Sequence, residues 1–198
     1  FLTDDSKTKL VPIVSSSRAA KIICDKWKNN YGYLPDAIVV EGPKAGGHLG
    51  FKVNQLDDEQ YSLEHLIPEV VSITDMYKDE KNIPVIAAGG ISSGKDILRF
   101  IEMGASGVQM GTIFVTTNEC DASETFKNVF VKATQEDIKI IQSPVGMPGR
   151  AINGEFIQSV ENGNETPKSC PFHCIKTCDY TKSPYCIVQC LYQAARGN

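Results

Sequence analysis

The sequence has no long hydrophobic run: none approaches the roughly 18 apolar residues a membrane span requires, so no membrane partner is expected. It has no excess of positive charge either. Its 20 Lys and Arg stand against 24 Asp and Glu, a formal net charge of −4. A nucleic-acid partner would need a basic face, and none is expected. The opening residues, Phe1-Leu-Thr-Asp-Asp, lack the basic start and apolar stretch of a signal peptide. Reduced thiols and a cytoplasmic location are therefore the expectation. There is no internal repeat longer than one β/α unit and no low-complexity tract. The chain also lacks an initial Met, and we expect that Phe1 is not the encoded start. What is present is ordinary globular material: 198 residues, 41% hydrophobic and 22% charged, enough for one domain or slightly more.

Four short apolar runs punctuate the first 115 residues: 10–16, 36–42, 83–90 and 107–115. Each is apolar almost without alternation, as in parallel strands covered on both faces. Helical spacing follows each run, over 17–30, about 63–80, 93–103 and about 122–132. Four strand–helix units predict a parallel α/β fold. An open doubly wound sheet and half of a (β/α)8 barrel both fit that pattern. From about residue 135 the pattern changes to a short strand over 137–142, a turn-rich segment at 143–149, a linker at 159–169 and a cysteine-rich tail. This divides the chain into a first domain, 1–135, and a C-terminal extension, 136–198.

Three motifs carry the chemistry, each at a strand's C-terminal end, where both parallel architectures bind ligands. The first is Glu41-Gly-Pro-Lys-Ala-Gly-Gly-His48-Leu-Gly50. Its glycines allow a flat ligand to approach the backbone, and His48 can transfer protons near neutral pH. The competing reading is a glycine loop whose His only caps or packs. The second is Ala87-Ala88-Gly89-Gly90-Ile-Ser-Ser-Gly94. Its turn amides and the next helix N-terminus suit an anion, although a plain turn capped by Ser92 or Ser93 fits too. The third is Gly107-Val-Gln109-Met110-Gly111-Thr112, one β/α unit later. Loops after strands seven and eight of a (β/α)8 barrel form its usual phosphate site, so this pair of motifs favours the barrel. Lys44, in the first loop, could attract an anion. His65 lies on a helix with no ligand partner in view.

These motifs, with Gly146-Met-Pro-Gly-Arg-Ala151, resemble the nitronate monooxygenase family, and flavin-dependent enoyl-ACP reductases share most of them. The resemblance extends over roughly residues 9–155 and implies that the four strands are strands five to eight of a (β/α)8 TIM barrel. It implies FMN as cofactor and His48 as the catalytic imidazole. Gly46 and Gly47 would approach the flavin ring. Ala88, Gly89 and Gly90, with Gln109, Met110, Gly111 and Thr112, would hold the phosphate and ribityl chain. The implied reaction is oxidation of an alkyl nitronate or nitroalkane with molecular oxygen. The alternatives are enoyl-ACP reduction or a non-catalytic phosphate-binding half-barrel. Where the family commonly has Arg after Gly111-Thr112, this chain has Ile113. The first four strands would have to come from a separate N-terminal half or from a second copy.

Five of the seven cysteines fall in the tail, as Cys170, Cys174 and Cys178, then Cys186 and Cys190. Prolines 171 and 184 predict two helix starts, on which i,i+4 spacing gathers the thiols on one face. Three readings stand open: packing as small hydrophobes, a metal or iron–sulfur site, and disulfide or redox chemistry. Zinc and cluster motifs use tighter spacing, so no metal ligand is assigned.

Overall fold

The computed structural model describes residues 7–174, 176 and 178–196. The opening five residues and Ile175 of the tail lie outside them. The described chain groups into two compact units, the first made of residues up to 45 with 54–110, the second of 46–53 with the described residues from 111 onward.

The first unit is a parallel α/β assembly. Strands β1 (Ile13–Val14), β2 (Ile38–Glu41), β4 (Val85–Ala88) and β5 (Gly107–Gln109) form one sheet in the order β1-β2-β4-β5, every pair parallel. Helices α1 (Ser17–Tyr31), α2 (Leu63–Asp75) and α3 (Gly94–Glu102) alternate with them. In β2, Ile38, Val39 and Val40 are all buried, which is what a central parallel strand covered on both faces requires. Cys24 of α1 and Val70 of α2 complete the core, and α1 and α2 pack on each other.

Local chemistry sets the helix limits. The Ser16 side chain accepts from the Ala19 amide at α1's start, a cap worth about 1 kcal/mol. Gly32, at φ +61°, stops the helix and returns its N–H to the Lys28 carbonyl. α2 ends at Asp75, not near 80, and the chain continues in turns. The first strand is also shorter than its apolar run. Pro12 has no N–H to donate, although its carbonyl accepts from Val39 at 3.0 Å.

The second unit is built on an antiparallel sheet in the order β3-β7-β6, with β3 Gly47–His48, β6 Ile138–Gln142 and β7 Pro148–Ile152. Helices α4 (Thr112–Val115), α5 (Glu124–Lys132), α6 (Glu155–Glu161) and α7 (Ile187–Arg196) accompany it.

Four expectations are corrected here. Residues 112–115 are helical and do not extend the fourth strand, because sheet pairing stops at Gln109. Residues 148–152 form a strand, because β6 and β3 both pair with it. The start of the supposed linker lies in α6. Of the two tail helices, only the second forms among the described residues: Cys170, Cys174 and Cys178 lie in non-helical chain.

Candidate functional site

Because β2, β4 and β5 are parallel, their C-terminal ends share one edge of the first unit's sheet. The register aligns Glu41 with Ala88 and Ala88 with Gln109, so one row joins the last residues of all three strands. Ala88 is buried and Gln109 exposed. Glu41 is half-buried, and burial raises its carboxyl above the ordinary range.

Beyond this row the backbones close on each other. Gly42 donates to the Ala88 carbonyl at 2.9 Å, and Ala45 donates to the Gly42 carbonyl at 3.1 Å. Gly89 and Gly90 sit at φ +99° and +75°. A Cβ at Gly89 would lie 3.1 Å from both the Ala45 nitrogen and the Gly42 oxygen; one at Gly90 would lie 2.8 Å from the Lys44 Cβ. Both glycines are thus required by the turn and its packing, with or without a ligand.

The start of α3 does not present the free amides expected of an anion site. Asp96 accepts from the Ser92 and Ser93 amides, and Ser93 Oγ accepts from the Asp96 amide, forming a capping box. A carboxylate already occupies that helix end. A neighbouring cavity of about 310 Å3 is lined by Lys44, Gly89, Gly90 and Arg99. It also carries Asp57, Asp58, Glu59 and Glu64, a balance that disfavours a phosphate there.

In the second unit, His48 is exposed on β3, paired with Gly149 of β7. Its Nε2 lies 2.5 Å from the Oγ of Ser143, which is only 4% exposed. The placement of Ser143 follows from a turn. Ser143-Pro-Val-Gly146 has the residue types of a type I turn, with Pro second and Gly fourth, and Gly146 donates to the Ser143 carbonyl. Ser143 in turn donates its amide to Met147, closing the β6–β7 hairpin, while Leu49 donates to Pro148 beside His48.

Tyr185, a buried residue of the tail, lies near the Ser143 hydroxyl. Burial pushes the Tyr185 phenol up, and the Ser143 contact offsets part of that rise. The Tyr185 ring stands edge-on to Phe156, with centroids 5.5 Å apart.

Gly46, Gly47 and Gly111 differ from the glycines after β4. A Cβ at any of the three would meet no heavy atom within 4 Å, and Gly46 and Gly111 are not left-handed. Neither backbone conformation nor packing calls for glycine at 46 and 111, whereas a closely approaching ligand would. Gly111 and Thr112 are exposed at the start of α4, which has no side-chain cap.

A family profile described as nitronate monooxygenase matches residues 2–191. The chain belongs to the nitronate monooxygenase family. A probable nitronate monooxygenase of Staphylococcus aureus strain Newman is 38% identical over 128 residues, covering 63% of this chain and 34% of the relative. The chain thus spans about a third of the length of the curated relatives it matches. Among solved structures, FabK from Thermotoga maritima is 30% identical with a TM-score of 0.59, over 78% of this chain and 42% of that one. A nitroalkane oxidase from Streptomyces ansochromogenes is 25% identical with a TM-score of 0.58, over 76% and 40%. These likenesses agree with the observed α/β fold and its parallel sheet.

The sequence motifs single out His48 but not its hydroxyl partner. Ser143 is 95 positions away, and only the turn chemistry of its segment was visible. Tyr185 stood in a tail read for its cysteines. His65 is an exposed α2 residue bonded to Ser62 Oγ at 2.9 Å, as its bland reading expects. Among the described residues no helix is long and apolar enough to cross a membrane.

Proposed function

We propose that this chain carries the histidine-bearing part of an FMN-dependent site that oxidises alkyl nitronates with molecular oxygen. The observation that carries this reading is the β3 segment. There an exposed imidazole, held at Nε2 by a buried hydroxyl, adjoins two glycines whose missing Cβ atoms face open space. That arrangement suits a flat ring system next to a proton-transfer group. The residues fit the cofactor: Gly46 and Gly47 would lie against its ring, with the Gly111 and Thr112 amides at its phosphate. The family resemblance assigns Ala88, Gly89, Gly90, Gln109 and Met110, at the strand ends of the first unit, to the phosphate and ribityl chain. When bound, the flavin supplies the electron acceptor for the substrate and passes those electrons to oxygen. His48 removes the α-proton when the substrate is a neutral nitroalkane, a step that a nitronate, already an anion, does not need.

The four parallel strands represent strands five to eight of a (β/α)8 barrel in this reading. Edge strands β1 and β5 each pair on one side only among the described strands, and Ile13 of β1 is 59% exposed. An uncovered apolar edge invites further strands. These come from additional residues of the whole protein or from another chain.

The test is FMN reconstitution with strands one to four supplied, followed by oxygen uptake on ethylnitronate. We expect a visible flavin band and uptake that His48→Gln abolishes for nitroethane. A colourless, inert preparation refutes the proposal. A second reading, FMN-dependent reduction of an enoyl thioester, rests on the motifs that this chain shares with the flavin-dependent enoyl-ACP reductases. NAD(P)H oxidation that depends on a crotonyl thioester, without nitronate turnover, would establish it.

A further inference from the structure

We propose that Cys174 and Cys186 form an oxidative modification site: hydrogen peroxide oxidises the exposed Cys174 thiol, and Cys186 closes a disulfide with it across the cavity that the two residues share. The inference depends neither on flavin nor on the reading of His48.

All five thiols of the tail are free. Four of these residues, Cys170, Cys174, Cys178 and Cys186, line one cavity of the second unit, with a volume of about 20 Å3. That is room for about one water molecule. A disulfide needs Cα atoms no more than about 7 Å apart, a reach compatible with so narrow a gap. Packing as a small hydrophobe does not account for Cys174, which is exposed. Among the described residues, no three His, Cys, Asp or Glu side chains are gathered as a metal ion would need. What thiols around one small cavity can do is react with one another.

Exposure and anchorage pick the pair. The described residues include all seven cysteines, and of these Cys174 is the exposed one, so a peroxide in solution meets it first. Cys170 and Cys178 lie with it in non-helical chain, whereas Cys186 immediately precedes α7 and its carbonyl accepts from the Cys190 amide at 2.9 Å. The preceding residue, Tyr185, is buried, with its ring edge-on to Phe156. Its carbonyl accepts from the buried Ser183 hydroxyl at 2.8 Å. Cys186 is thus an anchored thiol beside an exposed one, the arrangement of a resolving cysteine. Cys190, one turn further along α7, is half-buried, and burial pushes its thiol up, which disfavours the thiolate that has to attack.

The chemistry balances in two steps. The Cys174 sulfur attacks the peroxide and the O–O bond breaks. A sulfenic acid forms, and the other oxygen leaves as water with the thiol proton. The Cys186 sulfur then attacks the sulfenic sulfur, whose oxygen leaves as water with the second thiol proton. Two thiols together lose two electrons and two protons, and one peroxide becomes two waters.

The test is peptide mapping of the native 198-residue chain, treated with hydrogen peroxide and then alkylated without reduction. Lys168, Lys176 and Lys182 let trypsin separate the tail cysteines into peptides 169–176, 177–182 and 183–196. We expect the loss of two free thiols and the joining of 169–176 to 183–196, both reversed by dithiothreitol. Cys174→Ser and Cys186→Ser should each abolish the joined peptide, whereas Cys170→Ser and Cys190→Ser should keep it. In Cys186→Ser the Cys174 sulfenic acid should persist and be captured by dimedone. A native chain that keeps all seven thiols overturns the proposal, as does a bridge to 177–182 or a joined peptide that survives Cys174→Ser. So does a bridge found only between two chains. Oxidation that appears only after chelation would mark a metal site, and oxidation only in urea would mark buried packing; either also overturns it. The map of the unmodified chain requires no variant to fold.

Discussion

Replacing glycines one at a time separates those the fold needs from those that only a ligand would need. Gly89→Ala puts a side chain at φ +99°, outside the region that L-residues adopt readily, at a cost of about 1–3 kcal/mol. The new Cβ also meets the Ala45 nitrogen and the Gly42 oxygen at 3.1 Å. These are backbone atoms tied into the 42–45 turn and to Ala88, so relief requires that turn to move. Together the two effects predict a loss of about 2–4 kcal/mol, a large share of the 5–15 kcal/mol typical of a whole domain. Gly46→Ala and Gly111→Ala meet neither obstacle, and each should stay within about 0.5 kcal/mol of the parent. If a flavin lies against them, their cost appears instead as weaker FMN binding at unchanged stability. Urea unfolding followed by far-UV circular dichroism, with flavin absorbance titration on the same variants, gives both quantities. A Gly46→Ala variant as unstable as Gly89→Ala, or a neutral Gly89→Ala, would refute the distinction.

Asp36 accepts from the Leu10 amide, Tyr33 and Lys81. Although burial opposes its charge, these partners hold its carboxyl well below the usual range, so Asp36→Ala should cost about 2 kcal/mol at pH 7. A folded value below the unfolded one means that this contribution is complete above about pH 4 and fades in stronger acid, where urea midpoints of the two proteins should converge. Glu41 has the opposite sign: burial raises its folded value, so Glu41→Gln should stabilise at pH 7 and lose that advantage as pH falls through about 4. Ile113 is 42% exposed, so Ile113→Arg should leave the unfolding midpoint unchanged while tightening FMN binding two- to fivefold, roughly the worth of one exposed ion pair. An effect that survives high salt would contradict that electrostatic origin. Exposed Cys174 should react with a thiol reagent in the native chain, whereas buried Cys24 should react only on unfolding, as peptide mapping will show.

How far the sequence revealed this molecule varies with the range of the interactions involved. Ile38-Val-Val was readable as a parallel strand because burial on both faces leaves an unbroken apolar run. The limits of α1 are local too: Ser16 caps its start and left-handed Gly32 its end. Thr112-Ile-Phe-Val115 misled for the converse reason: β-branched residues favour a strand only where a partner strand is present, and β5's pairing ends at Gln109. Pro148-Gly149 looked like part of a turn because the strand state of 148–152 depends on β6 and β3, which no local pattern announces. The candidate site divides in the same way. His48 and its glycines form one contiguous motif. Ser143 reaches it only through a hairpin folded in three dimensions.

The same contrast bears on how a phosphate would be held. The glycine turn after β4 looked like an anion cradle because a helix start followed it, but that start is closed by Asp96, a residue of the helix itself. An anion there would face a carboxylate, which reverses the sign of the expected attraction. The Gly111–Thr112 start is different: no side chain caps it, no carboxylate follows within α4, and its glycine is free of conformational or packing demands. If the FMN phosphate binds there as proposed, Ile113 would leave its neutralisation within α4 to backbone amides and the Thr112 hydroxyl, which are neutral donors. Binding through such donors depends on their fixed direction more than on net charge, and so should vary little with salt in the unmodified chain. A steep salt dependence of FMN affinity would therefore point to a cation supplied by residues outside this helix.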